Sequence, residues 1–244
     1  TIQWITRTAD PAAKWAVHFI GQELSLHRMS FADVLGRGKP QLVVSPLQKS
    51  TADGVRFMAF EVPANPKTDR WMPTVLDATL TRMHNHTHVD WDGKGPVESV
   101  VAAEQGVFLI ARDAAGAFSK KQLGTGISGD TPETRGAGEI RVGRWDAHGT
   151  RFLATVEPMH GTEAVVYLPS SDPNALWQRI VLTKDLKQGH AVWAADLDGD
   201  GRDEVVIGHR EKGTGPVAGP GLFVFQADST GRQWTRHTID DGGV

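Results

Sequence analysis

The sequence predicts an all-β fold: a β-propeller of four-stranded antiparallel blades, with four complete blades and an N-terminal half blade. Three observations predict it. A unit of roughly 50 residues recurs along the chain, the size of one blade. An acidic turn returns at a fixed place inside that unit. The 27 glycines and 13 prolines spread over 244 residues break up any long helix and suit short strands joined by turns.

The repeat is clearest from its tryptophans. Trp15, Trp71, Trp177 and Trp234 each open a short strand-like stretch, Phe118 fills the slot between Trp71 and Trp177, and the successive spacings are 56, 47, 59 and 57 residues. His27, His84 and His190 each precede an aspartate by six residues, at Asp33, Asp90 and Asp196. A glycine-containing turn and an apolar run follow each aspartate, at Gln41–Ser45, Ser99–Ala103 and Glu204–Gly208. Gly138 to Ala154 keeps the frame, with Gly138 in the histidine slot and Arg144 in the aspartate slot. Third strands are expected at Val55–Val62, Gly106–Ala111, Ala164–Leu168 and Gly221–Gln226. The second strand of each unit is nearly all apolar, as expected of a strand buried on both faces between blades. The blades therefore read as 1–20 (the half), 21–76, 77–123, 133–183 and 187–240 of one domain, 1–244. A propeller avoids open edges by pairing strands from its two ends. The two strands that would complete the half blade are expected after Val244 and are absent, so the chain reads as a piece of a longer protein with further blades or domains, or the half blade pairs some other way.

Composition excludes several classes. Lys and Arg number 26 against 29 Asp and Glu, for a net charge of −3, with the signs interspersed and no basic block, which argues against nucleic acid as a partner. No apolar run approaches the ~20 residues of a membrane helix. With no cysteine, disulfides and thiolate metal sites are excluded.

The loop Asp196 to Glu204 places acidic residues at positions 1, 3, 5 and 9: Asp196, Asp198, Asp200 and Glu204. Calcium takes six to eight hard oxygen ligands, and alternate residues of a tight loop aim carboxylates at one centre. The carbonyl of Arg202 adds a ligand at position 7, and Gly201 permits the sharp turn. An EF-hand is excluded because position 12 is Ile207 rather than glutamate, and the flanks read as strands. Asp90 and Asp92 open a degraded copy in which Lys94 stands at position 5; either a metal or the Lys94 ammonium can occupy it. The copies at Asp33 and Arg144 have lost too many carboxylates and are expected to be metal-free. Calcium in such loops is structural, and millimolar extracellular levels suit weak loops, so a secreted or periplasmic location is expected.

The stretch Ala195–Gly208 resembles an FG-GAP/VCBS-type repeat, a calcium-loop blade of integrin α-subunit propellers and many secreted bacterial proteins. The resemblance implies fold and calcium but no activity. The histidines that open inner strands, together with Glu157, Pro158, Met159, His160 and Gly161, are similar to propeller domains of the aldos-2-ulose dehydratase type. That similarity implies a keto-sugar substrate, a bound metal and a dehydratase reaction.

Six residues of strand span roughly 20 Å, so the histidine slots and the acidic loops lie on opposite faces of the disc. His27, His84 and His190 are expected to ring one mouth of the central channel, with Glu157 and His160 on the loop beside them. His84, His86 and His88 alternate and are expected to project from one side of a strand. Converging neutral imidazoles can hold zinc or another divalent ion, or act as general acid and base, and Glu157 can serve as ligand or base. The leading functional expectation is a metal-assisted lyase or dehydratase acting on a sugar. Its alternatives are a non-catalytic glycan- or protein-binding propeller and a purely structural repeat.

Overall fold

The structure, a computed structural model, describes residues 1–49, 52–146, 148–215 and 219–242; the expected end at Val244 lies outside them. It contains strands and no helix among the described residues. A two-stranded sheet, β1 (Ile2–Thr6) with β2 (Ala16–Gly21), precedes four antiparallel sheets of four strands each. The first complete blade is β3 (Leu26–Ala32), β4 (Gln41–Pro46), β5 (Phe57–Glu61) and β6 (Met72–Asp77). The second is β7 (Met83–Val89), β8 (Glu98–Ala103), β9 (Gly106–Arg112) and β10 (Phe118–Gly124). The third is β11 (Glu139–Arg144), β12 (Arg151–Glu157), β13 (Glu163–Leu168) and β14 (Gln178–Thr183). The fourth is β15 (Gly189–Ala195), β16 (Glu204–His209), β17 (Gly221–Ala227) and β18 (Trp234–Asp240). In every blade the strands pair in chain order.

The blades are held face to face by apolar clusters, one at each junction. Leu42 and Val44 of β4 pack towards the half blade with Ile2, Ile20 and Trp71, whereas Val43 packs towards the second blade with Val101 and Met83. The alternation of one strand thus feeds two cores, which is why β4 is buried at every position and apolar at all but Gln41 and Ser45. Val100, Leu153, Val165 and Tyr167 join the second and third blades. Phe152, Val192, Ile207 and Phe223 join the third and fourth. The inner strands β3, β7, β11 and β15 follow one another around a channel, β3 against β7, β7 against β11 and β11 against β15.

Two sheet faces carry apolar side chains that are exposed or half-buried. On the half blade, Ile5 pairs with Val17 and Gln3 with Phe19, and Ile5, Val17 and Phe19 are exposed. On the fourth blade, Trp193, Val206 and Val224 form a row across β15, β16 and β17 opposite the buried face.

Because Phe152 is fully buried and meets the Trp234 ring edge-on at 5.4 Å, Phe152→Ala is expected to cost about 3–5 kcal/mol, read from the midpoint of chemical unfolding; a loss under about 1 kcal/mol would contradict this packing.

Candidate functional site

Each inner strand starts at the histidine slot, and in three blades the ladder slips there. β3 pairs Leu26 with Pro46 and then Arg28 with Ser45; β7 pairs Met83 with Ala103 and then Asn85 with Ala102; β15 pairs Gly189 with His209 and then Ala191 with Gly208. His27, His84 and His190 are thus the extra residues of three β-bulges, a device that re-aims side chains. β11 has no slip, and its Glu139 pairs with Val156 in register. Ser25 and Gln188, two residues ahead of His27 and His190, adopt left-handed φ of 54° and 55°, each at a cost of order 1 kcal/mol.

His160 arrives from the loop after β12. Its own φ is 54°, so the backbone is held in a sparsely populated region to present this side chain. A Cβ at Gly161 would stand 2.2 Å from the Glu157 carbonyl, so the loop can be this tight only with glycine there. The Gly161 carbonyl accepts the Gly189 N–H at 3.0 Å, which ties the loop to the start of β15.

The imidazoles meet at the channel mouth. Nε2 of His84 and Nε2 of His160 are 3.0 Å apart. The His160 and His190 rings stack with centroids 4.7 Å apart, and His190 meets His84 edge-on at 5.4 Å. One nitrogen from each of His84, His160 and His190 lies within 4.8 Å of the others. The His27 ring stands 4.6 Å from that of His84.

Glu139 organises this group. Its Oε1 accepts from Arg28 Nη2 at 2.8 Å and lies 3.2 Å from His84 Nδ1 and 3.5 Å from His190 Nδ1. Its Oε2 accepts from Asn85 Nδ2. His84 Nδ1 is buried and, despite the short distance, makes no directed hydrogen bond. With Nδ1 of two imidazoles turned to a carboxylate, their Nε2 atoms are left for a ligand, the arrangement that orients metal-binding histidines. Zinc–nitrogen bonds of 2.0–2.1 Å give a tetrahedral edge of about 3.3 Å, close to the 3.0 Å between the two Nε2 atoms. The donor set therefore fits a divalent ion such as zinc.

Several expected residues stand elsewhere. Glu157 does not join the histidines: it is fully buried inside the third blade, where Oε1 accepts from Thr155 and Tyr167 and Oε2 accepts twice from Arg179. Burial raises its pKa in spite of Arg179. His86 and His88 do not share a side with His84, because the bulge reverses the alternation. They point to the first blade. Ser30 Oγ lies 2.8 Å from Nε2 of both, Ser45 Oγ lies 3.0 Å from Nδ1 of His86, and Ser99 Oγ 3.0 Å from Nδ1 of His88. All four ring nitrogens are occupied by serines, so neither histidine is placed as a metal ligand.

The acidic loops lie at the other ends of these strands. One carboxylate oxygen from each of Asp196, Asp198 and Glu204 falls within 4.8 Å of the others, and the same holds for Asp90, Asp92 and Glu98. Backbone donors fix both loops alike: Gly199 N–H to Asp196 and Leu197 N–H to Glu204, Gly93 N–H to Asp90 and Trp91 N–H to Glu98. Asp200 does not join the first cluster, because its carboxylate is paired with the Arg202 guanidinium. In the second, Lys94 Nζ stands 3.7 Å from Asp92. Gln41 takes the place of Glu98 and Glu204 in the loop at Asp33, where it receives Leu35 N–H and donates to Asp33.

Sequence reasoning missed Glu139, Asn85 and Arg28. Each follows a histidine slot by one residue; a bulge accompanies Arg28 and Asn85, whereas Glu139 reaches the channel from a regular strand. The signal was a polar or charged residue after the slot in three of four blades, where Ala191 is the exception.

Comparison with known proteins agrees with the fold. The family model of the aldos-2-ulose dehydratase β-propeller domain matches residues 1–170. Aldos-2-ulose dehydratase of Phanerodontia chrysosporium is 25% identical over 230 residues, covering 84% of this chain and 25% of that protein. The chain thus spans about a quarter of that relative's length. Two solved structures share the fold. One is an Agrocybe aegerita lectin described for recognition of non-reducing terminal N-acetylglucosamine, at 15% identity and TM-score 0.51, covering 91% of this chain and 54% of that one. The other is a fructofuranosidase of Schwanniomyces occidentalis in complex with fructose, at 10% identity and TM-score 0.50, covering 91% and 49%.

Protonation follows from this packing. Burial first, then the charge of His84, pushes His27 and His160 down to about 4. His190 is lowered chiefly by burial, against the pull of Glu139. Burial alone takes His88 to about 4. For Glu139, burial pushes upward, but the neighbouring His84 and then the Arg28 guanidinium hold the carboxyl below the usual range. His27, His160 and His190 are therefore neutral near neutral pH, beside an ionised Glu139. Imidazoles lowered on folding let the unfolded chain take protons first, so their contribution to stability is lost as pH falls from about 6.5 towards 4. In an NMR titration the His27 and His160 imidazoles are expected to show midpoints near 4; midpoints near the ordinary 6.5 would contradict this environment.

Proposed function

The chain belongs to the family of the aldos-2-ulose dehydratase β-propeller domain, and from that premise we propose that it is a carbohydrate-active propeller whose histidine mouth eliminates water from a keto-sugar with the help of a divalent metal. The observation that carries this reading is the convergence of His84, His160 and His190 on one point with Glu139 behind them. His84, His160 and His190 would hold the ion. Bound there, such an ion supplies Lewis acidity that polarises a sugar carbonyl.

The chain's own residues do the rest. Glu139 keeps Nδ1 of His84 and His190 turned away from the centre and fixes both rings. His27, neutral and partly open beside His84, removes the proton from the carbon next to the carbonyl. The C–H electrons form the new double bond as the C–O bond at the following carbon breaks, and the departing hydroxide takes the proton back from His27 and leaves as water. A base of low pKa is suited to this only because the carbonyl acidifies that proton.

The acidic loops support a second part of the reading, calcium as scaffold. Asp196, Asp198 and Glu204, with Asp90, Asp92 and Glu98 as the weaker site, would fasten the turns between first and second strands. The FG-GAP/VCBS-like sequence of the Asp196 loop supports this, and a secreted or periplasmic setting, where calcium is millimolar, would keep such loops loaded. The exposed apolar face of the half blade would be closed by further blades of a longer parent chain.

A 2-keto aldose incubated with zinc-loaded protein is expected to yield an unsaturated ketone and water. His27→Ala should lower kcat by about 10²–10⁴-fold, and His84→Ala and His160→Ala should abolish turnover with the circular dichroism spectrum retained. Turnover unchanged in all three would sink the enzyme reading, and saturable sugar binding with no product would favour a glycan-binding propeller like the related-fold lectin. For the loops, calcium at 100 times its Kd should add about 2.7 kcal/mol of stability, lost in Asp198→Ala; a melting temperature indifferent to chelator would remove calcium from the account.

A further inference from the structure

The channel continues past the histidines. Arg141 lies two residues along β11 from Glu139, and its guanidinium carbon stands 5.1 Å from the centroid of the Trp193 ring on β15. A strand rise of about 3.3 Å per residue sets Arg141 roughly 7 Å deeper than Glu139, about the breadth of one sugar ring. Trp193 is 58% exposed, so its indole offers an open apolar surface of the kind that packs against the carbon face of a sugar.

Arg141 is a partly buried cation without an ion-pair partner among the described residues. One of its donors, Nη1, is used on the Ile140 carbonyl at 2.6 Å. Burial lowers its pKa; Glu139 opposes this, and the like charge of Arg28 adds to it. Glu139 is already shared by Arg28, Asn85, His84 and His190. Arg210, whose charge is felt by His160 and His190, adds a third guanidinium whose described bond is to a neutral Gln188 oxygen at 2.8 Å. Arg28 and Arg141 thus share the single carboxylate of Glu139, and Arg210 adds positive charge beside His160 and His190, in a chain whose formal net charge is −3. A half-buried guanidinium with no ion-pair partner and unused donors is open to an anion. Its planar fork matches the oxygens of a carboxylate or a phosphate.

We infer that Arg141 and Trp193 form a subsite for an oxyanion carried by the sugar substrate, a carboxylate or a phosphate, one ring-length from the reacting carbonyl. This deepens the dehydratase reading and rests on it for the position of that carbonyl, but the binding can be measured without turnover.

Isothermal titration of the full chain with D-glucose, D-glucuronate and glucose 6-phosphate, with no metal added, tests it. At least one anionic sugar is expected to bind about 10-fold or more tighter than glucose, with the preference shrinking as salt rises. Arg141→Gln should erase the preference and Arg141→Lys should keep part of it. Tighter glucuronate identifies a carboxylate, and tighter glucose 6-phosphate identifies a phosphate. Equal affinity for all three sugars, or a preference that survives in Arg141→Gln, overturns the inference. Should Arg141→Gln fail to fold by circular dichroism, Trp193→Ala, which alters an exposed ring, is expected to weaken both anionic sugars, and undiminished binding there overturns the inference equally. His84→Ala separates the two readings: it removes the proposed metal ligand and turnover, and leaves the anion preference in place.

Discussion

The Glu139 carboxylate meets side chains from the inner strands of all the other complete blades: Arg28 of β3, His84 and Asn85 of β7 and His190 of β15. A carboxylate this far from water is tolerable only with such partners, since a buried charge left alone is strongly unfavourable. The partners are equally dependent on it, because without Glu139 the Arg28 guanidinium would lose its counter-charge and two imidazoles the carboxylate their Nδ1 atoms face. The ring of inner strands is thereby locked in one register at this end, and the apolar junctions between blades supply the bulk of the cohesion behind it. The same constraint sets the chemistry, because the acid that ties the blades also decides which nitrogen of each histidine is free.

One repeated backbone device has two outcomes here. A bulge at the head of β3, β7 and β15 turns His27, His84 and His190 to the channel. In β7 it also sends the next histidines the opposite way, so that His86 and His88 end in a serine clasp between the first and second blades. If both are neutral, Ser30 has one proton to share between two Nε2 atoms, so at least one of the two must carry its own proton there. Three alternating histidines on one strand therefore divide between a site and a structural seam. In the third blade the device is missing and a glutamate stands beside the slot instead. A repeat that has lost its histidine supplies the carboxylate that the other three need.

Much of the fold was legible because propeller blades write their register into sequence. The tryptophan spacing, the six-residue interval from histidine to aspartate and the all-apolar second strands each reflect a local geometric demand, and the strands fall where these signals place them. The convergence of His84 and His190 was legible for the same reason, since identical slots of the blades meet at one mouth, and His160 was legible because the loop after a second strand returns to that same face. Alternation failed at His86 and His88 because a bulge adds one residue and leaves no mark in the residue types. Glu157 failed because it is not in the loop the sequence suggested but ends β12, paired with Glu163, where Arg179 and Tyr167 hold it inside the blade. Asp200 was misplaced because a neighbouring cation, Arg202, competes for its carboxylate. Glu139 was hidden by register: attention fell on Gly138, the slot itself, and a regular strand makes the next residue the one that reaches the channel.

The central claim is that Glu139 prepares the imidazoles of the channel mouth to hold a divalent ion. Titration of zinc into wild-type protein and into Glu139→Gln, followed calorimetrically in chelator-treated samples, tests it most directly. The account predicts saturable binding of one zinc at the histidine mouth, weakened about 10–100-fold when the carboxylate behind the histidines is neutralised. Absence of saturable zinc binding, or identical affinity in the two proteins, would contradict it.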